Sequence, residues 1–247
     1  WNISKKMYYA QYVDMKISPD GYPIITGYKN VDRLKRKMRE HGCVFMKSEE
    51  VLNLPEQNFI TTNIPPSKPY NRFMKSGIVT IEGIELVGDT TLTKLLYARQ
   101  LCGMYNADKI KAFKDLVDST EDRLIVFYNF KEEAMRLIQI ANESNRPWSI
   151  VCGEQKSLAA YKNFDNSITF VQYQAGAMGL NLQLANKIIY FSPPLSSELF
   201  EQSKKRIHRI GQSKTCFYYQ LTSGIEHRIY DTLEMRKDYT DNLFEEE

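Results

Sequence analysis

The chain has 247 residues, 43% of them hydrophobic, with 33 Lys and Arg against 30 Asp and Glu for a formal net charge of +3. That is enough apolar content for one sizeable core, or one core plus an appended arm. The pI near 8.5 lies below that of strongly basic domains, which exceed about 9, so any nucleic-acid contact has to come from local patches. Cys43, Cys102, Cys152 and Cys216 are scattered singly and only three histidines are present, a pattern against structural zinc and disulfides, and for a reducing cytosol; no metal-ligating residue is singled out. Neither a charged leader nor an apolar run of about 18 residues occurs, which implies a soluble protein that is not secreted. The chain begins at Trp1 in sequence that already reads as folded protein, so it is expected to be a fragment, and its Lys, Asn, Ile and Tyr content suits an AT-rich genome such as a bacteriophage's.

In chain order, residues 1–27 read as a tyrosine-rich tail with a turn signal at Ser18-Pro19-Asp20-Gly21. Asn30 is placed to cap a helix through Arg39, with Val31, Leu34 and Met38 on one stripe and basic residues on the other faces. The basic run Lys29, Arg33, Lys35, Arg36, Lys37 and Arg39 fits a solvated helix face better than a nucleic-acid site. Asn58–Ile64 alternates as a strand, Ser67 opens a short helix, and Ile78–Val87 reads as a hairpin or insertion. Thr91 is placed to cap a helix to Cys102. Gly83–Thr90 has the spacing of a phosphate-binding P-loop, but Asp89 stands where a lysine is required, and a carboxylate repels β- and γ-phosphates. It is read as a hairpin turn.

From Asp108 onward helices and short apolar strands alternate. Helices are expected at 109–117, 132–141, 158–164, 175–180 and 198–208, and strands at 124–128, 149–152, 168–172, 187–191 and 217–221. This alternation implies an α/β fold of right-handed βαβ units with a central parallel sheet and helices on both faces. A helix rich in both charge signs closes the chain at 225–243.

The most specific stretch is Gln202–Gln212. On a helix, residues three and four apart share a face, so Arg206 and Arg209 are expected side by side with Gln202 one turn earlier, and two planar, permanently charged guanidiniums fit a γ-phosphate better than lysines do. In 175–182, Gly176 and Gly179 admit close backbone approach and Asn181 offers an amide to a ribose hydroxyl, although a G-x-x-G loop by itself is more often a tight turn. Asn129 and Lys131 stand where strand 124–128 turns into the next helix, whose free amides suit a phosphate. Phosphate contact and simple helix capping remain open there. Gly153 sits in the equivalent turn one strand later.

Arg206, His208, Arg209, Gly211 and Gln212 resemble the last motif, R-x-H-R-x-G-Q, of the Swi/Snf-type DNA-dependent ATPases of helicase superfamily two. Ala175–Leu182 is similar to that family's fifth motif and Leu124–Phe130 to its fourth. The resemblance implies a RecA-like lobe of P-loop NTPase type, residues 58–247 with a core at 108–224 and a brace helix at 225–243, preceded by an arm at 1–57 that crosses from a first motor lobe near Pro55. It further implies that Arg206, Arg209 and Gln202 act catalytically, that Gly176, Gly179 and Asn181 contact nucleotide, and that Asn129, Lys131, Gly153, Tyr173 and Gln174 touch the DNA backbone. Gln172-Tyr173-Gln174 departs from the family's Ser/Thr, Thr, Arg/Lys and so lacks a cation. The implied cofactors are ATP and magnesium, held mainly by an N-terminal RecA-like lobe of the same polypeptide. The implied partner is double-stranded DNA, with no membrane, in a monomer located in a bacterial or phage-infected cytoplasm, or in a nucleus if eukaryotic. With neither a P-loop nor an Asp-Glu box, this chain is not expected to hydrolyse ATP alone. A strand-separating helicase or restriction-type translocase lobe, and a non-catalytic RecA-like binding module, stand as alternatives.

Overall fold

The computed structural model describes residues 3–17, 21–44, 53–176 and 179–245, apart from the side chains of 24, 176 and 236–245. The turn signal at Ser18–Asp20 and residues 45–52 lie outside it, as do residues 177 and 178 of the Gly176–Gly179 segment. Two compact units are present, Trp1–Val51 with Tyr239–Glu247, and Leu52–Asp238.

The first unit is more ordered than a tail. Helix α1 (Lys5–Tyr12), capped by Ser4, runs into the antiparallel ribbon β1 (Val13–Ile17) and β2 (Pro23–Tyr28), and α2 (Val31–Glu40) follows. Asn30 precedes α2 as expected but does not cap it with its side chain. Its backbone is left-handed, with φ 54°, and its Nδ2 donates to the Gln11 carbonyl at 2.8 Å. The tertiary acceptor on α1 takes the amide that local pattern assigns to the helix.

The second unit is built on a seven-stranded sheet in the order β3 (Gln57–Ile64), β11 (Cys216–Ser223), β10 (Lys187–Tyr190), β6 (Leu124–Tyr128), β9 (Ile168–Gln172), β7 (Trp148–Val151) and β8 (Lys156–Ser157). Every pairing is parallel except β7 with β8. Helices α5 (Ala107–Asp118), α6 (Lys131–Glu143), α7 (Ala159–Asn163), α8 (Tyr173–Gly176) and α9 (Ser197–Lys204) lie in the connections between strands, and α10 (Glu226–Glu245) follows the last strand.

Strands buried on both faces are mostly apolar, and alternation divides their apolar residues between two cores. Ile125, Phe127, Ile188, Tyr190 and Tyr218 pack on one side with Phe200 of α9 and Ile229, Tyr230 and Leu233 of α10. Leu124, Val126, Tyr128, Phe170 and Ile189 pack on the other with Phe113 of α5 and Leu137 of α6. A smaller cluster joins α3 (Lys68–Ser76), the hairpin β4 (Ile78–Ile81) and β5 (Ile84–Val87), and α4 (Thr91–Cys102) through Tyr70, Phe73, Val79, Leu86 and Leu101. The P-loop-like spacing is therefore a hairpin, turning at Glu82 and Gly83 with φ of 50° and 81°. Thr90 caps α4 in place of Thr91, in a reciprocal box with Thr93.

Two helix boundaries near the expected sites are corrected. The helix expected at 198–208 ends at Lys204, and carbonyls beyond it answer to more distant donors: Arg206 O accepts from Leu182 N and Ile207 O from the Gln212 side chain. The helix expected at 175–180 is the four-residue α8, and Gly179 has left helical geometry with φ 67°.

Candidate nucleotide and DNA-backbone sites

The expected site residues fall on two opposite edges of the sheet. Parallel strands share a direction, so a helix leaving the C-terminal edge must return the chain to the N-terminal edge before the next strand starts. Asn129, Lys131, Gly153 and Gln174 follow strand ends, whereas Asn181, Arg206 and Arg209 precede strand starts.

At the N-terminal edge, residues 205–215 form a loop laid against 180–186. Leu182 N donates to Arg206 O at 3.0 Å, and the buried Gln212 donates to the Gln183, Ala185 and Ile207 carbonyls at 3.1, 2.8 and 3.4 Å while accepting from Lys214 N. Gly211, with φ 96°, makes the turn that allows this. Ile207, fully buried, points the chain between Arg206 and Arg209 into the core. The two arginines are thus brought together by a tethered loop, not by the helix face that the spacing suggested.

Both guanidiniums are half-buried. Arg206 Nη1 reaches the Leu180 carbonyl at 3.5 Å, and Arg209 Nη1 donates to Asn181 Oδ1. Burial, and then the neighbouring charge of Arg209, lowers the Arg206 pKa. A like-charged, partly desolvated pair is relieved by an anion between its members, which is the chemistry of a phosphate. Gly179 is exposed with open space where a Cβ would stand, and Gly176 closes α8. Gln202 donates to Glu198 Oε1 at 2.9 Å, while its own Oε1 is buried without a partner. Among the described residues no hydrogen bond joins Gln202 to either arginine. The charged donors here, two guanidiniums, suit an anion.

At the C-terminal edge, Asn129 spends its side chain on the strap after β10, donating to Ser192 O, Ser192 Oγ and Pro193 O at 3.2, 2.9 and 2.9 Å. Capping of α6 falls to Glu133 instead, whose Oε2 accepts from Asn129 N and Phe130 N at 3.0 and 3.1 Å. Lys131 is exposed and paired with Glu154, and Gly153 faces open space. Gln174 is exposed. Tyr173 is corrected as a surface donor: it is 3% exposed, packs on Phe127 and gives its hydroxyl to Ser192 O at 3.1 Å. Burial drives its pKa well above the ordinary tyrosine value. Gln172, beside it, donates to Asn129 O.

Sequence reading missed the network behind this edge. Fully buried Glu133 also accepts from Ser192 Oγ at 2.9 Å, and Arg99 donates to Pro193 O at 2.9 Å while lying over Phe130. A Glu at the third position of a helix that follows a buried strand is the one local signal that could have marked Glu133.

Residues 108–211 match the family described as helicase conserved C-terminal domain. The human DNA repair and recombination protein RAD54-like is 37% identical over 76 residues, 30% of this chain and 10% of that protein. Rice RAD54 is 25% identical over 138 residues, 52% of this chain and 14% of that one. The matched stretch is thus a seventh or less of these relatives' length. The crystal structure of the C-terminal part of the Fun30 ATPase domain overlays with a TM-score of 0.45 at 25% identity, covering 52% of this chain and 45% of that one. Over residues 108–211 the chain is therefore similar to the helicase conserved C-terminal domain, and it shares sequence with the RAD54 proteins over part of its length.

Proposed function

We propose that this chain is the second motor lobe of an ATP-dependent double-stranded-DNA translocase, supplying an arginine finger to an ATP site completed by an N-terminal lobe of the same polypeptide. The observation that carries the proposal is the convergence of Arg206 and Arg209, two half-buried arginines of which the first has its pKa lowered by burial and then by the charge of the second, beside Asn181 on a loop fixed by Gln212. Bound ATP and magnesium would supply the transferable phosphoryl group and its charge neutralisation, the metal being held outside this chain. Arg206 and Arg209 would stabilise charge on the equatorial oxygens, and Gly179 and Asn181 would line the nucleotide. Gln202, whose buried amide oxygen has no partner, would help to couple the ATP site to DNA.

Duplex DNA would lie along the opposite edge, at Lys131, Gly153 and Gln174, with Asn129 and Tyr173 setting the backbone beneath it. The chain between Gln174 and Asn181 would be one covalent link by which closure at one edge alters grip at the other. The test is DNA-stimulated ATP hydrolysis by the full-length polypeptide. Arg209→Ala is expected to lower kcat on the order of a thousandfold while sparing duplex affinity; near-normal turnover would refute the finger assignment.

A further inference from the structure

Among the residues of the arginine loop, His208 has a hydrogen bond that leads away from the nucleotide edge's other tethers. Arg206 and Gln212 are tied to residues 180–186, whereas His208, 8% exposed, sets Nε2 2.9 Å from the carbonyl oxygen of Pro55. A carbonyl oxygen only accepts, so the ring carries its proton on Nε2. The adjacent carbonyl, Glu56 O, accepts from Cys216 N at 2.9 Å, and β3 begins at the next residue. Residues 53–56 are where the polypeptide arrives at the second unit, which starts at Leu52. The arriving chain is thus fastened at consecutive carbonyls, once to the sheet and once to the side chain that stands between Arg206 and Arg209.

We propose that His208 is a positioning residue: through Pro55 it registers the arginine pair against the chain that enters the lobe, so that hydrolysis depends on this one bond. Proline suits the accepting end, because its fixed φ and missing N–H leave the carbonyl direction with little freedom. A shift of the loop by about 1 Å is enough to cost a hundredfold in rate. The inference rests on the finger reading of Arg206 and Arg209, and the experiment separates the two.

Steady-state ATP hydrolysis with saturating duplex DNA is measured for the full-length polypeptide and for Arg209→Ala, His208→Leu and His208→Gln. Leucine fills the site without a donor, whereas the glutamine amide nitrogen stands about as far along the side chain as Nε2 and restores one. His208→Leu is expected to lower kcat ten- to a hundredfold with the KM for ATP unchanged, and His208→Gln to recover most of the loss. Unchanged kcat in His208→Leu, or equal losses in the two folded histidine variants, would overturn the positioning role. An inert Arg209→Ala would instead overturn the finger reading. If His208→Leu does not fold, ¹⁵N spectra of the unaltered chain decide: the Nε2–H tautomer supports the bond, and the Nδ1–H tautomer overturns it.

Discussion

Removing the cation of the buried pair between Lys109 and Glu226 should unfold much of this lobe's stability, and in a pH-dependent way. Both side chains are 0% exposed, Nζ to Oε2 is 2.5 Å, and the pair ties α5 to the first residue of α10. Glu226 Oε2 also accepts from Ser223 N at 3.0 Å, which fixes the turn between β11 and α10. Burial pushes the Glu226 carboxyl up to about 7, against the pull of Lys109. Its folded pKa is above the unfolded value of about 4.3, so the folded state binds this proton more tightly. The associated stability is present in full below the unfolded pKa and is lost as pH rises through about 7.

Lys109→Met leaves a buried carboxylate without its cation, a change that costs about 3–5 kcal/mol. At 2–4 °C per kcal/mol for a unit of this size, the melting temperature should fall by roughly 6–20 °C at pH 8. The deficit should shrink toward pH 5, where a neutral carboxyl needs no cation. Lys109→Met combined with Glu226→Gln should recover most of the loss and remove the pH dependence. Thermal unfolding followed by circular dichroism from pH 5 to 8 reads all three. A single variant within about 1 kcal/mol of the parent, or a double variant as unstable as the two singles summed, would refute the argument.

Gly224→Ala should destabilise by at least about 2 kcal/mol, since φ is +51° and a Cβ would stand 2.5 Å from the buried ring of Tyr70; Gly153→Ala, in open space, is the control expected to melt unchanged. Arg146, 5% exposed, donates to the carbonyls of Val117, Thr120, Asp122 and Asn166. Arg146→Met orphans these acceptors and should cost at least about 3 kcal/mol in urea unfolding. Lys131→Ala in the full-length polypeptide should weaken duplex binding evenly across sequences and reduce the salt slope by about one, which a titration by fluorescence anisotropy at several salt concentrations checks; an unchanged slope would remove Lys131 from the DNA edge.

How much was legible follows from which interactions are local. Strand 124–128 was readable to the residue because it is a doubly buried parallel strand and apolar throughout, and 168–172 was readable from its apolar Ile168, Phe170 and Val171. The hairpin at 78–87 and the Ser67 cap were readable because turn and cap chemistry is carried by neighbours. The end of α9 was not, because Leu182 and Gln212, beyond the helix or far from it, take the carbonyls of Arg206 and Ile207 that a longer helix would have used. Tyr173 was misread for a similar reason: a tyrosine at a strand end looks the same whether its hydroxyl meets a phosphate or the carbonyl of Ser192.

By itself the sequence determined the α/β alternation, the parallel sheet and the pairing of Arg206 with Arg209 in one short motif, since periodicity and motif spacing depend only on residues close in the chain. Only the tertiary structure decided that the arginines ride a loop instead of a helix, that Asn129, Lys131, Gly153 and Gln174 lie at the opposite edge of the sheet from Arg206 and Arg209, and that His208 is bonded to Pro55. Those facts depend on which carbonyls and donors meet across 20 to 150 residues of chain, and a donor's choice among distant acceptors is settled by packing, not by its neighbours in sequence.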